Sequence, residues 1–183
     1  MTEKLINYFN GNELAANVWL SKYAYKEEET PEYMHRRMAK EFYRIDKEYQ
    51  KNETTEKKSK LSIYGQKRKD LDEEKIFKYF DKFSYIIPQG SIMATLGTDQ
   101  IASLSNCFVI ESPLDSYGGI HRADGDLIYY YKRRGGCGVD ISNLRPANTK
   151  TNNAAKTTTG AVSFMERFSN TTREVAMNGR RGK

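Results

Sequence analysis

The chain contains two cysteines, and each stands where a thiol could do chemistry. Cys107 begins the apolar run Cys-Phe-Val-Ile, and Cys137 lies between Gly136 and Gly138. A thiolate is a nucleophile and a partner in thiol–disulfide exchange, so either residue could serve a redox reaction. From the residue and its apolar neighbours alone, Cys107 is better interpreted as a small apolar residue of the core. A disulfide between the two cysteines is a further alternative.

Two glycine-containing segments could approach or hold a ligand. Residues 89–98 are rich in glycine and hydroxyl groups, which offers donors to a phosphate, although the Gly-Lys-Ser/Thr pattern of a P-loop is absent. A plain connecting loop is the alternative. Gly135 and Gly136 lack a Cβ, so the main chain could come close to a ligand there, or the pair could simply end a helix.

The residues around the cysteines predict a strand, a helix and a second strand. Residues 107–110 are short, apolar and bounded by polar residues, which is typical of a strand buried on both faces. A helix is predicted from Asp115 to Arg134, with Asp115 as a possible N-cap, because apolar residues recur at three- and four-residue spacing: Ile120, Ala123, Leu127 and Tyr131. Residues 138–141 then resume an extended pattern, and parallel pairing of the two strands is expected.

The preceding part of the chain predicts helices. Helix starts are indicated at Asn12, at Thr30-Pro31 and at Asp72. The longest of these helices has an apolar stripe made by Met34, Met38, Phe42, Ile45 and Tyr49. His35 lies off that stripe, so we expect it to be solvated or hydrogen-bonded. No metal site is expected, since His121 is the one other histidine.

Polar segments separate these elements. The stretch from Gln50 to Asp70 is rich in lysine and predicts a loop or insertion with a solvated surface, a polyanion-binding patch being the alternative. Residues 147–160 contain almost no apolar side chain and predict an exposed loop. A last helix is indicated after that loop by Ala161, Met165, Phe168 and Thr172.

Composition limits the possible function classes. The 183 residues are 38% hydrophobic with a mean hydropathy of −0.79, which predicts a thin core. The net charge of +6 suits nucleic acid or phosphorylated nucleotides as a partner. Two cysteines without a signal-like apolar N-terminus favour a reducing cytoplasm, and no run approaches the roughly 20 apolar residues of a membrane span.

Three phrases are specific enough to indicate a family. Ser-Leu-Ser-Asn-Cys-Phe-Val, Arg-Arg-Gly-Gly-Cys-Gly-Val-Asp-Ile-Ser and Leu-Arg-Pro, in this order, resemble the catalytic (large) subunit of ribonucleotide reductase. The resemblance continues through residues 159–176 and 178–182, more faintly back to Tyr8, and leaves out residues 51–70. It implies an α/β fold: a helical N-terminal region, residues 1–85 with a basic insertion at about 51–70, followed over residues 86–183 by the opening strand-helix-strand portion of a ten-stranded α/β barrel.

The resemblance also implies roles for individual residues. Cys107 matches one of two thiols that reduce the 2′-carbon of the substrate ribose and become a disulfide. Cys137 receives no catalytic role, because family members often have an aliphatic residue there. The positions that match substrate contacts are Ser91, Asn106, Gly135 and Gly136. Those that match the site of an allosteric nucleotide are Asp115, Ser116, Tyr117, Arg145, Asn152 and Arg181, with Asn152 falling where some relatives use arginine.

The activity implied is that of a ribonucleoside-diphosphate reductase acting through a thiyl radical. The family's Asn-x-Cys-x-Glu segment, a partner thiol for Cys107 and a C-terminal thiol pair are not found in the sequence. We therefore expect an N-terminal portion of such a subunit, split or truncated and inactive until joined by the rest of the barrel.

The resemblance also implies cofactors and partners. The sequence Gly-Gly-Cys-Gly-Val-Asp-Ile-Ser around Cys137 and the lack of an N-terminal ATP module favour adenosylcobalamin over a small metal-radical subunit as the source of the radical. Further expected partners are a nucleoside triphosphate effector, a thioredoxin-like external dithiol and a second copy of the subunit at the effector site. The alternative function is a stand-alone basic protein that binds nucleotides or nucleic acid, as the net charge of +6 and the lysines of residues 51–69 would allow.

Overall fold

The computed structural model describes residues 1–51, 54–67 and 71–175. The chain divides into two compact units, Met1–Gln100 and Ile101–Lys183. The described part of the first unit is helical, and its elements are α1 (Glu3–Tyr8), α2 (Glu13–Lys22), α3 (Pro31–Lys51), α4 (Thr55–Ser59), α5 (Ile63–Lys67), α6 (Glu73–Phe80), a 3-10 helix (Asp81–Phe83) and α7 (Gly90–Thr95). The predicted domain division at residue 85 stays a prediction.

The predicted helix starts are confirmed by their caps. The Asn12 side chain accepts a hydrogen bond from the backbone N–H of Ala15 at 3.0 Å, and that of Asp72 accepts one from Lys75 at 2.7 Å. Helix α3 begins at Pro31. Proline has no backbone N–H, and none is needed at this position because the first N–H groups of a helix make no intrahelical hydrogen bond. These local signals can be read from the sequence because each cap needs only residues within one turn.

The core of the first unit lies mainly between α3 and α6. Met34 and Met38 are fully buried, as the stripe predicts, and Ile76 and Phe80 of α6 are buried beside them. The outer end of the stripe is different, because the Tyr49 side chain is 74% exposed.

The prediction for His35 was wrong. The imidazole is fully buried, and neither ring nitrogen has a hydrogen-bond partner among the described residues. The ring lies instead edge-on to Phe83, with centroids 4.7 Å apart, and is roughly parallel to Phe80 at 6.5 Å. The buried face of α3 is therefore wider than the stripe of apolar residues.

Two predicted loops contain helices. Within residues 51–70, α4 starts at the Thr54 cap and carries a Glu56–Lys60 ion pair at 2.8 Å, four residues apart, which is a stabilising spacing on a helix. Residues 90–95, predicted as part of a glycine-rich loop, form α7. Helix α7 is held by Arg37 of α3, whose guanidinium donates to the carbonyls of Leu96 and of Met93, the latter at 3.0 Å. Such long-range contacts leave no local sequence signal.

The second unit contains a strand, a helix and a strand in the predicted order, but the helix is shorter than the predicted 115–134 and the second strand occupies residues 136–138 instead of 138–141. Its elements are β1 (Cys107–Val109), α8 (Tyr117–Tyr131), β2 (Gly136–Gly138) and α9 (Ala161–Glu174). Strands β1 and β2 pair in parallel, with Cys107 opposite Gly136 and Phe108 opposite Cys137. The mixed α/β character and the parallel pairing are confirmed, and the further strands of a barrel stay a prediction.

Burial of β1 on both faces was wrong. Val109 is 88% exposed and Cys107 is also exposed, whereas Phe108 is partly buried. The reason is that α8 covers one face of the two-stranded sheet, with the Phe108 and Tyr130 rings 4.7 Å apart, while alternate side chains point to the other face. Among the described residues, no helix is long and apolar enough to cross a membrane.

Candidate functional site

A cleft of about 370 Å³ opens in the second unit beside the start of α8 and the start of α9. It is lined by predicted effector-site residues that are distant in sequence, namely Asp115, Ser116, Tyr117, Arg145 and Asn152. Arg181 lies outside the described residues. The structure thus brings together the predicted residues that it describes, and a volume of this size suits a small-molecule ligand.

Asp115 lies just before α8 and lines the cleft. The predicted N-cap role of Asp115 was wrong, because the cap is Ser116, whose side chain accepts a hydrogen bond from the Gly119 N–H at 3.1 Å. Asp115 lies just before the cap, outside the helix. Its carboxylate is therefore available to a different partner.

That partner is Arg145, 30 residues later in the chain. The Nε of Arg145 donates to Oδ2 of Asp115 at 2.5 Å, and the backbone N–H of Arg145 donates to Oδ1 at 3.3 Å. The hydrogen bond from Arg145, the main cause, and the nearby positive charge hold the pKa of Asp115 below its ordinary value. The cleft thus contains a formed ion pair.

Residues 147–160 form a mostly exposed loop, as predicted, and one backbone bridge shapes it. Lys150 and Thr157 form an antiparallel bridge, and the Thr151 N–H donates to the Lys156 carbonyl at 2.8 Å. The turn back to α9 depends on Gly160, which has φ 85°, and a Cβ there would lie 2.4 Å from the Ala147 backbone nitrogen. The segment is a small hairpin that presents polar side chains to the cleft.

The cleft has one apolar side that sequence reasoning missed. Phe164 of α9 and Ile120 of α8 line it beside Tyr117, with the Tyr117 and Phe164 rings edge-to-face at 6.2 Å. The polar side carries further hairpin residues that sequence reasoning also missed, namely Thr151, Asn153 and Thr158. The high Thr and Asn content of residues 149–158 was the available signal for these, and Phe164 gave none beyond its place in a helix. An aromatic side facing a polar side suits a ligand with a planar ring and a polar or charged tail.

The two cysteines lie on opposite faces of the sheet. Directly paired residues of parallel strands lie on the same face of the sheet. Cys107 therefore shares a face with Gly136, whereas Cys137 shares the opposite face with Phe108. Both thiols are free, and side chains that point to opposite faces are poorly placed for a disulfide. Burial and then the neighbouring Cys107 raise the pKa of the Cys137 thiol to about 11. Cys107 is the accessible thiol of the pair.

The predicted substrate-binding residues of the second unit lie next to Cys107. The Gly136 N–H donates to the Asn106 carbonyl at 2.7 Å, which joins the residue before Cys107 to its partner strand. Gly135 is buried, and a Cβ there would lie 2.7 Å from the Phe108 ring. Gly135 thus has a packing role, whatever ligand approaches the strand.

Ser91 belongs to the first unit. It is fully buried in α7, where its carbonyl accepts a hydrogen bond from the Thr95 hydroxyl at 2.7 Å. In this arrangement its side chain is covered by protein, and its substrate-binding role stays a prediction.

A buried carboxylate elsewhere in the second unit ties α8 to α9. Asp124 accepts hydrogen bonds from the Arg167 guanidinium at 2.8 and 3.0 Å and from the Thr171 hydroxyl at 2.5 Å. Both carboxylate oxygens therefore have partners, so the group is well suited to a structural role.

Comparison with known families finds a match in the second unit. Residues 105–183 match the family model described as ribonucleotide reductase, barrel domain. The matched segment includes Cys107, both strands and the cleft. It supports the resemblance to a ribonucleotide reductase large subunit. No curated protein matches the chain.

Proposed function

We propose that the chain is part of the catalytic subunit of a ribonucleotide reductase, with Cys107 at the substrate and the cleft at an allosteric nucleotide. The observation that carries the proposal is the convergence of Asp115, Ser116, Tyr117, Arg145 and Asn152 on one cleft inside the segment that matches the barrel domain. These residues come from separate stretches of the sequence.

Cys107 acts in this proposal as one of two reducing thiols. Two thiols together supply two electrons and two protons: the 2′-hydroxyl of the ribose leaves as water, its carbon gains hydrogen, and the sulfurs end as a disulfide that an external, thioredoxin-like dithiol reduces. Cys137 points to the other face of the sheet, so it is not the second thiol. The second thiol and the thiyl radical come from a further part of the subunit, which completes the barrel.

The cleft binds the effector, a nucleoside triphosphate. Arg145 is its single cationic side chain among the described lining residues, and a guanidinium binds phosphate oxygens in pairs. Tyr117 and Phe164 provide the surface for a base, and the hairpin provides hydroxyl and amide groups. A second copy of the subunit at this site forms the proposed homodimer.

For the radical source we propose adenosylcobalamin rather than a small metal-radical subunit, on the sequence resemblance alone. The cleft at Arg145 has the size for a nucleotide, not for a corrinoid, and the described residues that line it include no histidine. The described residues that line this cleft do not form a site for that group, and none of the steps above depends on it. The substrate is proposed to be a ribonucleoside diphosphate.

Exposed lysines favour the second candidate, a basic protein that binds nucleic acid. Lys57, Lys58 and Lys60 are exposed in and beside α4, and the chain carries a net charge of +6. A salt titration distinguishes the two candidates, because binding to phosphate backbones weakens steeply with salt. Tight, steeply salt-dependent binding to arbitrary oligonucleotides, without affinity for mononucleotides, would favour this candidate.

The proposal is tested by titrating a deoxynucleoside triphosphate into the full chain and two variants. Arg145→Ala removes the phosphate-binding guanidinium, and since charge-assisted hydrogen bonds contribute roughly 1.5 to 3 kcal/mol, affinity should fall at least about tenfold. The matched control is Arg122→Ala, because Arg122 is an exposed arginine of α8 outside the cleft. Equal affinities of wild type and Arg145→Ala would reject the cleft as the effector site.

A further inference from the structure

The ion pair in the cleft consists of the two charged side chains among its described lining residues. Asp115 and Arg145 carry opposite charges, so the lining as a whole is neutral before any ligand enters. An approaching anion therefore meets a carboxylate as well as a guanidinium. This arrangement differs from an open cationic pocket.

All three nitrogen atoms of the Arg145 guanidinium lie near an acceptor. Besides the Nε contact of 2.5 Å to the Asp115 carboxylate, Nη1 lies 3.3 Å from the Lys150 carbonyl and Nη2 lies 3.5 Å from the Asp115 carbonyl. The carboxylate occupies the Nε edge, and phosphate oxygens commonly bind guanidinium groups along such edges. Asp115 thus takes the position that an anionic ligand would use.

The pair is nevertheless accessible. The side chains of Arg145 and Asp115 are 36% and 33% exposed, and ion pairs exposed to this degree are weak. An anionic ligand carrying several charges can therefore replace the carboxylate without unfolding the hairpin.

We propose that Asp115 is an internal competitor for Arg145, which an anionic phosphate ligand must displace when it binds the cleft. This inference rests on the proposed effector site and adds a regulatory element to it. The Asp115 carboxylate thereby selects ligands by charge. A weakly charged ligand leaves the Asp115–Arg145 ion pair intact, whereas a polyphosphate breaks it. Once displaced, Asp115 is free to accept a hydrogen bond from another group of the ligand.

Inorganic tripolyphosphate tests the competition separately from sugar and base contacts. We would titrate it by calorimetry into the full chain, Asp115→Asn and Asp140→Asn. The control loses the same charge from the same unit, outside the cleft, where Asp140 accepts hydrogen bonds from Ser142. Since exposed ion pairs contribute up to about 1 kcal/mol, Asp115→Asn should bind tripolyphosphate roughly two- to fivefold more tightly than wild type, and Asp140→Asn should bind with wild-type affinity.

A second measurement uses the wild-type chain and does not depend on how the variants fold. The pKa of Asp115, followed by the carbon resonance of its carboxyl group, is held low by Arg145 and should rise when tripolyphosphate is bound. Unchanged or weaker binding by Asp115→Asn, or an unchanged Asp115 pKa in the complex, would overturn the competition. If Arg145→Ala still weakens nucleotide binding in that case, the proposed function survives; if no variant binds either compound, both are rejected.

Discussion

At the scale of single residues, the two thiols differ in exposure because Cys107 of β1 and Cys137 of β2 lie on opposite faces of the sheet. Cys107 is exposed, whereas Cys137 is partly buried and has a pKa raised to about 11. Since the thiolate is the reactive form, we predict that iodoacetamide at neutral pH modifies Cys107 at least about tenfold faster than Cys137. Mass spectrometry of peptides from a time course measures both rates.

The unfolded chain provides the control for this prediction. In denaturant the two thiols should react at similar rates, because neither is then buried. Equal rates in the folded chain would contradict the placement of the cysteines on opposite faces of the sheet.

His35 makes the stability of the first unit depend on pH. Burial, its main cause, lowers the pKa of His35 from 6.5 to about 4, partly offset by the charge of Asp81. At pH values between these two pKa values, His35 is protonated in the unfolded chain and neutral in the folded chain. The free energy of unfolding should therefore fall as the pH falls through this window, by about 2 kcal/mol between pH 7 and pH 5.

Urea unfolding of variants at both pH values measures the contribution of His35. His35→Leu fills similar space without a titrating group, so its loss of stability from pH 7 to pH 5 should be smaller than that of wild type. His121→Leu is the matched control, since it removes an imidazole from an exposed position instead of a buried one. The account of His35 is wrong if His35→Leu and wild type lose equal stability.

At the scale of elements, the turn from α8 into β2 requires a residue without a side chain. A Cβ at Gly135 would lie 2.7 Å from the Phe108 ring and 3.2 Å from the Tyr130 carbonyl. Overpacking of this kind typically costs about 1 to 3 kcal/mol, so Gly135→Ala should lower the free energy of unfolding by that amount. Chemical denaturation of the full chain measures it.

Gly138, the last residue of β2, offers the matched control. A Cβ there would meet its nearest atom, the Phe108 carbonyl oxygen, at 3.9 Å, which is an ordinary contact. Gly138→Ala should therefore leave stability within about 0.5 kcal/mol of wild type. A loss as large as that of Gly135→Ala would mean that the packing of Phe108 is not the cause.

The elements also show what could be predicted from the sequence. The caps at Asn12 and Asp72 and the order of β1, α8 and β2 follow from local patterns, and the structure contains them. Helix α7 could not be predicted in this way, because its carbonyls are held by Arg37 from α3. The exposure of Val109 was missed because an apolar run does not reveal how many faces of a sheet are covered.

The sequence identified which residues line much of the candidate site, but not how those residues contact one another. The resemblance supplied Asp115 and Arg145, but neither pattern nor spacing showed that they would pair with each other. Phe164 was missed because its apolar side chain looks the same in a helix whether it packs in a core or lines a cleft. Such contacts between residues far apart in sequence require the tertiary structure.

At the scale of the whole molecule, the described residues present one exposed thiol, that of Cys107, and a separate cleft of nucleotide size. The two sites would serve different ligands, the reacting ribose and the regulator. Changes at Cys107 should therefore affect turnover, whereas changes at Arg145 should affect regulation. The net charge of +6 suits phosphorylated ligands at both sites without requiring nucleic acid.

The most direct test of the proposed reductase role is ribonucleotide reduction by the chain combined with a polypeptide that completes the barrel, measured for wild type, Cys107→Ser and Cys137→Ser. A hydroxyl cannot replace a thiol as reductant, so Cys107→Ser should lose at least about a hundredfold in turnover while still binding deoxynucleoside triphosphate. Cys137→Ser, on the other face of the sheet, should retain most of the activity. Normal turnover by Cys107→Ser would contradict the proposed role of the chain in the reduction.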